Sequence, residues 1–351
     1  MKKRKKILVF GYFGYVTNQL DGQTVKTRAI YELLKDYSEC EVRYADTQAF
    51  RSSKNSIFKF LKDLFTCDKL VILPCLNNLK FLFPPIYLIS QILRFDIIHI
   101  GIGGWHKEYL SKWPVVRSML KRIKINLFEN TLTCKELNES FGFNNIGVIP
   151  NFRKGTYTKP IKGAHNNLKL VFMARINIKK GLDTLSELSE RIKKSDLNTS
   201  IILDLYGPFD SEEDRTYLND NLVNKYTFVK YKGHLEPHKI TSTLSEYDIM
   251  LFPTHYYTEG FPGSVLDAFR AGLPVIATNW KHARQFIHND KDGFIVDFNN
   301  PVPEIFAKLN LIQKDRTKLI QMQDTAFEEC RKYLPSEAWR ILKPYIENNN
   351  A

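Results

Sequence analysis

The chain has 351 residues, 43% of them hydrophobic and 25% charged, which is ordinary for a folded protein and excludes a disordered one. That length is more than one core comfortably holds and predicts two domains. The net charge of +13 is lopsided: residues 1–155 carry 25 Lys and Arg against 13 Asp and Glu (+12), and residues 156–351 carry 26 against 25 (+1).

The N-terminus, MKKRKKILVFGYF, imitates a signal peptide: basic, then apolar. No small-residue cleavage site follows it, and the run passes into TNQLDGQTVKTR, a loop and a helix start, so a first strand is expected instead. No stretch reaches the ~18–20 uninterrupted apolar residues that a membrane span needs. The most apolar region, 70–95, is broken by Pro74, Asn77, Asn78, Lys80, Pro84 and Pro85. Five scattered cysteines (Cys40, Cys67, Cys75, Cys134, Cys330) lack C-x-x-C spacing. Free thiols in a reducing compartment are expected, rather than a disulfide framework or a zinc site.

In chain order, apolar β-branched runs predict strands at 7–13, 41–46, 69–74, 96–103, 125–130 and 146–150. A helix is expected over QTVKTRAIYELLKDY, with Ile30, Leu33 and Leu34 on one face. The polar, basic, Gly/Pro-punctuated stretch 151–169 reads as a linker. Strands follow at 168–175, 199–207, 228–235, 248–254, 274–279 and 293–298, and then helical segments from about 301 to 348. Alternating strands and helices predict parallel sheets with right-handed crossovers. The expected fold is α/β: two Rossmann-like, doubly wound domains facing across a cleft, 1–155 and 156–333. Residues 334–351 form a C-terminal helix that can pack back on the first domain. Ligands of such sheets lie beyond the carboxyl ends of the strands. The loops after residues 13, 103, 175, 207 and 254 are therefore the candidates.

Loop 254–264 places Glu259 before Gly260, Phe261, Pro262 and Gly263. Ser264 then stands where a helix cap is expected. A helix start offers free N–H groups and the positive end of a dipole, which suits phosphate, and glycine bares the backbone to a ligand. Asp267 has two readings. Ser264-x-x-Asp267 matches a capping box, or the acid faces a ligand. Glu259 is either an exposed loop acid or a ligand group. Loop 175–181, RINIKKG, sets Arg175 and Lys180 at a strand end beside a helix start. Two cations there suit a diphosphate, and a solvated basic turn is the alternative. In the first half, Gly14, Gly22 and Gln23 lie in a glycine-containing loop without G-x-G-x-x-G spacing. Gly103 and Gly104 bare another strand end. His99 lies inside a strand, where a histidine is more often a packed core residue.

Other signals fail. Asp290-Lys291-Asp292 has a D-x-D pattern, but a turn before a strand explains it. Walker A, G-x-S-x-G and H-E-x-x-H motifs are absent. The basic half lacks RNP-type and zinc-finger patterns, so nucleic acid would rest on charge alone. The segment 54–94 sets aromatic residues among lysines. It is either core helix or a surface for anionic lipid.

Together these loops resemble the retaining GT-B glycosyltransferases of family 4, and most closely the members that build bacterial capsule, O-antigen or exopolysaccharide. Arg175 through Gly181 is similar to that family's R-x4-K-G element. Glu259-Gly260-Phe261 through Asp267, then Ala271-Gly272-Leu273-Pro274-Val275, is similar to its E-x7-E signature, with Asp in place of the usual second Glu. Asp292-Gly293-Phe294, GQTVKTR (22–28), IGGW (102–105) and IPN (149–151) resemble further family features. The resemblance implies a hexosyltransferase that uses a nucleotide-diphosphate sugar and needs no metal or cofactor. Arg175 and Lys180 would neutralise the diphosphate, and Glu259 would hold the donor sugar. Backbone at Gly260 to Ser264 would approach phosphate or sugar, and Asp267 would bind the ribose. Backbone near Tyr206, Gly207, Gly233 and His234 would read the base, and His99 would be the family's first-domain histidine. Gly14, Gly22, Gln23, Gly103 and Gly104 would lie on the acceptor side. The implied acceptor is a glycan or a polyprenyl-diphosphate-linked chain. The implied place is cytoplasmic, peripheral on the anionic inner membrane surface, with no nucleic-acid partner. A sugar-nucleotide epimerase or phosphorylase on the same scaffold, and a non-catalytic basic binding protein, are the alternatives.

Overall fold

The computed structural model describes residues 4–19, 21–155 and 167–347. Most of the stretch read as a linker, 156–166, and the last residues of the C-terminal helix as expected, 348–351, lie outside the described residues. The apolar runs form twelve strands among the described residues. They are β1 (Lys6–Gly11), β2 (Glu41–Asp46), β3 (Lys69–Leu73), β4 (Asp96–Ile100), β5 (Ile125–Phe128), β6 (Ile146–Val148), β7 (Leu168–Met173), β8 (Ile201–Tyr206), β9 (Val229–Tyr231), β10 (Ile249–Phe252), β11 (Val275–Thr278) and β12 (Gly293–Val296). All twelve expected runs are strands. Several stop earlier than expected at their carboxyl ends. β4 ends at Ile100 rather than 103, because Gly101, Gly103 and Gly104 offer no side chains to pack and the chain turns there, with Gly103 at φ +93°.

The strands form two six-stranded sheets, ordered β2-β1-β3-β4-β5-β6 and β12-β11-β10-β7-β8-β9. The pairings are parallel. Parallel sheets are covered on both faces, which is why β3 is buried at every residue and reads as an unbroken apolar run. Each sheet has the doubly wound, parallel α/β form expected from the sequence.

The chain divides into two units, Met1–Lys154 with Tyr333–Ala351, and Gly155–Lys332. In the first unit, helices Gly22–Tyr37 and Pro335–Glu347 cover one face of the sheet. Ile30, Leu33, Leu34, Trp339, Leu342 and Ile346 share a core with Ile7, Val9 and Val71. Each such buried side chain contributes about 1.5–3 kcal/mol over exposure, enough to hold a helix reached from the far end of the chain. The opposite face carries helices Lys54–Leu64, Leu76–Leu93, Pro114–Leu120 and Thr131–Phe141, through Leu64, Phe83, Leu120 and Leu137. In the second unit, helices Leu182–Lys193, Pro301–Lys314 and Arg316–Cys330 contribute Leu185, Leu188, Ile305, Leu309 and Leu319 to the core.

Strand order reverses once in each sheet, between β1 and β3 and between β7 and β10. At such a reversal the two flanking loops leave in opposite directions, and a crevice opens beyond the strand ends.

His99 belongs to the core of the first unit and not to a ligand-bearing loop, which corrects the role implied for it by resemblance. It lies in β4 and is 1% exposed. Its Nδ1 stands 3.0 Å from Asn126 Oδ1, and Asn126 donates its own amide to Leu120 O at 2.9 Å. Asn126 therefore accepts and the His99 Nδ1–H donates. Burial pulls the imidazole pKa down from 6.5 to about 4. The unfolded chain thus takes up a proton that the folded chain refuses. The stability this neutral histidine allows is complete above about 6.5 and is lost as pH falls toward about 4, with a slope approaching about 1.4 kcal/mol per pH unit. Urea unfolding across that window is expected to show a steeper loss in wild type than in His99→Gln, which keeps a polar contact to Asn126 without titrating. Equal slopes would assign the acid sensitivity elsewhere.

Candidate active site

Two loops meet where the second sheet reverses. The loop after β7 carries Asn177, whose Oδ1 accepts from Lys180 N at 2.9 Å and caps the single turn Ile178–Lys180. Gly181 closes that turn at φ +92° and starts helix Leu182–Lys193. A Cβ on Gly181 would stand 2.0 Å from Pro253 O, so glycine alone lets this loop approach the end of β10. The loop after β10 is held just as firmly. Thr278 Oγ1 donates to Thr254 O at 2.6 Å, and Tyr256 N donates to Thr254 Oγ1 at 3.1 Å. His255 ties the loops together: its N donates to Lys179 O at 2.9 Å, and its Nε2 lies 2.8 Å from Asp183 Oδ1.

At the meeting point the Lys180 ammonium and the Glu259 carboxylate are in direct contact. Their side chains are 14% and 16% exposed, so solvent screens the pair less than it would at an open surface. Thr254 Oγ1 donates to the same carboxylate at 3.3 Å, and the Tyr256 ring lies 4.6 Å from Lys180 Nζ. Beyond Glu259, Gly260, Phe261 and Pro262 are buried, with Phe261 stacked on Phe286 at 4.1 Å.

Helix Gly263–Arg270 has Pro262 at its N-cap and no side-chain cap. Ser264 lies in the first turn and is not the cap, which corrects the expected boundary. Ser264 and Asp267 therefore do not hold the two positions of a capping box. The ladder begins with Val265 N and Leu266 N donating to Pro262 O, so the N–H groups of Gly263 and Ser264 precede it, at the positive end of the dipole. Asp267 is buried on this helix, 4.0 Å from Arg270 Nη1.

The neighbouring strand ends close the arrangement. Gly207 stands at φ +144°, where a Cβ would fall 1.7 Å from Ala174 O, and its N donates to Gly233 O at 2.9 Å. Arg175, 51% exposed, is only loosely paired with Asp210 at 3.4 Å. Asp210 also accepts from Asn177 Nδ2. Tyr206 leaves only its backbone for the contact expected at this turn. It is 7% exposed, its hydroxyl lies 2.9 Å from that of Tyr247, and Tyr247 donates to Asp204 Oδ2 at 2.7 Å. Its side chain is committed to the core.

In the first unit, GQTVKTR starts helix Gly22–Tyr37 behind an Asp21–Thr24 capping box. Its polar side chains brace the strand ends. Gln23 Nε2 donates to Leu73 O at 2.9 Å, and Lys26 Nζ donates to Pro150 O at 2.7 Å. Arg28 Nη2 donates to Gly14 O at 3.0 Å. Burial lowers the Lys26 pKa to about 8, against the opposing pull of Glu129. Glu129 also accepts from Gly103 N at 3.2 Å. Gly104 is buried beside it in sequence. Gln23 and Gly14 are thus part of the bracing, and Gly22 opens the helix.

The D-x-D carboxylates diverge. Asp290 pairs with Lys318 at 3.0 Å, while buried Asp292 takes the N and Nδ1 of His288 at 2.7 and 2.6 Å. His288, Asp292 and Glu329 have ligand-type atoms within 4.8 Å of one another. This cluster lies at the amino end of β12, the opposite edge of a parallel sheet from Lys180 and Glu259. Glu329 is engaged by Lys332 at 2.6 Å.

Residues 156–329 match the family described as glycosyl transferases group 1. The second unit is thus a glycosyltransferase domain. Among curated proteins, the chain is 25% identical over 149 residues to the putative colanic acid biosynthesis glycosyltransferase WcaL of Escherichia coli, covering 40% of this chain and 35% of that one. It is 24% identical over 217 residues to the N-acetylglucosaminyltransferase GtfA subunit of Streptococcus gordonii, covering 59% and 41%. The chain therefore spans well under half the length of these relatives. Among solved structures, Anabaena HepE in complex with UDP and glucose superposes with a TM-score of 0.73 at 14% identity, covering 98% of this chain and 99% of that one.

Several residues of this glycosyltransferase domain escaped sequence reasoning. Asn177 had a signal, a cap residue before a helix start. His255 and Asp210 had none, because their partners lie far off in sequence, and no pattern marks Thr254 although Tyr256 and Glu259 lie close by. Gly181→Ala is expected to lower stability by more than the ~1–2 kcal/mol of a left-handed residue, since the loops must also part. Chemical unfolding measures this, and a change below that range would mean the approach at Pro253 is not constrained.

Proposed function

We propose that the protein is a retaining, metal-independent glycosyltransferase of family 4. It moves a sugar from a nucleotide-diphosphate sugar to a glycan or polyprenyl-diphosphate-linked acceptor in cell-surface polysaccharide assembly. The observation that carries this is the Lys180–Glu259 contact at the sheet reversal, beside the open start of helix Gly263–Arg270. Departure of the nucleoside diphosphate breaks the bond from the sugar carbon to phosphate oxygen, building negative charge on the phosphate and positive charge on that carbon. Lys180, with the loosely paired Arg175, answers the first, and so do the N–H groups of Gly263 and Ser264. Glu259 holds the sugar near the second. Buried Asp267 takes the ribose hydroxyls, and the backbone at Gly207 and Gly233 reads the base. The cations and helix dipole do the work of a metal. The acceptor belongs to the first unit, at the strand ends braced by Gln23, Lys26 and Arg28. The names of WcaL and HepE's bound UDP and glucose support the substrate class. Such substrates place the reaction on the cytoplasmic side of a membrane.

The contact also implies a competition. With no donor bound, Glu259 occupies the cation that the diphosphate needs. Thermal shift with UDP-, GDP-, ADP- and CMP-sugars in EDTA is expected to single out one nucleotide, adding about 2.7 kcal/mol of stability at 100 times its Kd. Lys180→Ala should weaken the matching nucleoside diphosphate about tenfold or more, the range of one charge-assisted contact. Glu259→Gln should bind it more tightly than wild type and yet fail to consume donor. Weaker binding in Glu259→Gln would sink the competition. No shift with any nucleotide, alongside low-salt binding to DNA, would favour the basic binding protein.

A further inference from the structure

Helix Gly22–Tyr37 covers one face of the first sheet and helix Lys54–Leu64 the other, and β2 is the edge strand beside both. Along that edge lies a cavity of about 400 Å³, lined by Tyr31 from the first helix, Arg43 and Tyr44 from β2, and Lys59, Lys62 and Asp63 from the second helix. It is separate from the strand ends braced by Gln23, Lys26 and Arg28. Tyr31 follows the helix start at Gly22 by nine residues, which is about 13 Å down the side of the sheet.

The lining brings together three kinds of group. The Tyr31 and Tyr44 rings stand 5.2 Å apart at 63°, so they form a corner of two walls, and Tyr44 is 39% exposed. Lys59 Nζ lies 6.0 Å from the Tyr44 ring, and among the described residues no carboxylate pairs with Lys59 or Lys62. Asp63 is 5% exposed: its Oδ1 takes Arg43 Nη1 at 2.6 Å, while its Oδ2 is buried and accepts no hydrogen bond. A buried carboxylate oxygen left without a donor is costly, and the cost is recovered when a ligand brings one. The strand adds its backbone. Glu41 N and Thr47 N donate to Lys5 O and Gly11 O on the β1 side, so Val42 and Tyr44, out of phase with them, turn their N–H and C=O groups to the open edge.

We propose that this cavity binds an acidic sugar residue of a glycan. The C–H face of the sugar ring lies against Tyr44, Lys59 and Lys62 pair its carboxylate, and a hydroxyl supplies the donor that Asp63 Oδ2 lacks. The outward backbone of β2 can bond the remaining hydroxyls, as the few polar groups of a binding pocket do. Nucleic acid fits less well. Bases stack on open ring faces, which a corner of 63° restricts, and Asp63 repels phosphate. An acidic peptide would engage the lysines through charge alone.

The test is calorimetric titration of the full chain, without nucleotide, with a hyaluronan hexasaccharide, which alternates glucuronate and N-acetylglucosamine. Neutral chitohexaose, hexaglutamate and a thymidine hexanucleotide are titrated beside it. Wild type is expected to bind the hyaluronan hexasaccharide about tenfold or more tighter than the other three, and less tightly as salt rises. Tyr44→Ala, and separately Lys59→Glu with Lys62→Glu, should each weaken that binding about tenfold or more. Lys59 and Lys62 are exposed, so the double variant should keep its unfolding temperature, whatever Tyr44→Ala does to the neighbouring rings. No binding of the hyaluronan hexasaccharide, equal binding of any of the other three, or full binding by the double variant would overturn the proposal. The cavity belongs to the first unit, and Lys180 and Glu259 belong to the second. Nucleotide binding on the same samples therefore separates failure of this site from failure of the donor site.

Discussion

The contact between Lys180 and Glu259 depends on a backbone constraint. Two loops from neighbouring parallel strands come close enough to pair these charges only because Gly181 has no side chain. A Cβ there would overlap Pro253 O at 2.0 Å. The reversal of strand order between β7 and β10 supplies the crevice, and the glycine sets its width. Around it, Asn177, His255 and Thr254 spend their hydrogen bonds on holding the loops. A charge pair set in fixed loops reorganises little when a ligand arrives, which is the condition under which electrostatics helps a reaction most.

The same economy governs the first unit. The strand ends of a parallel sheet leave carbonyls and N–H groups with nowhere to go, and buried backbone groups must be paired. Arg28, Gln23 and Lys26, within two turns of one helix, take up carbonyls at or just beyond the ends of β1, β3 and β6. Asp46, at the end of β2, takes the N–H groups of Phe13 and Tyr15 at 3.1 Å. The conspicuous GQTVKTR pattern is thus explained by bracing, whatever ligand the loops meet. Lys26 shows the cost: fully buried, it keeps its proton less readily than a free lysine.

Most of the fold was legible because both sheets are parallel and buried. Every strand then reads as an apolar run, and every crossover as a helix between runs. Strand ends were less legible, since β4 and β9 stop where packing stops and not where apolar residues do. At the site, Lys180, Glu259 and Gly181 were visible as residue types, but their contact was not, because 79 positions separate the two charges. His99 shows the opposite failure. It stands near a strand end in sequence, and alternation along the strand turns its ring into the core. Ser264 misled for a local reason. A serine before an apolar run looks like a cap, yet Pro262 takes the cap with its fixed φ and moves the helix start forward.

Helix Leu76–Leu93 marks the limit of periodicity as a guide. A helix that is apolar on both sides gives no single face, so its pattern cannot tell core from surface, and only the fold shows which stripe is left outside. Charge adds what the pattern lacks. The second unit's chain half is close to neutral and sets its key cation against its key carboxylate. The first half keeps nearly all of the excess of +13, and the two helices with bare apolar stripes carry lysines without exposed acids. If that excess served only solubility, it would be spread over both halves and would avoid exposed phenylalanine, since apolar patches work against solubility. Lys54, Lys62 and Lys80 stand among Phe58, Phe65 and Phe81, a mixture that solubility alone would disfavour.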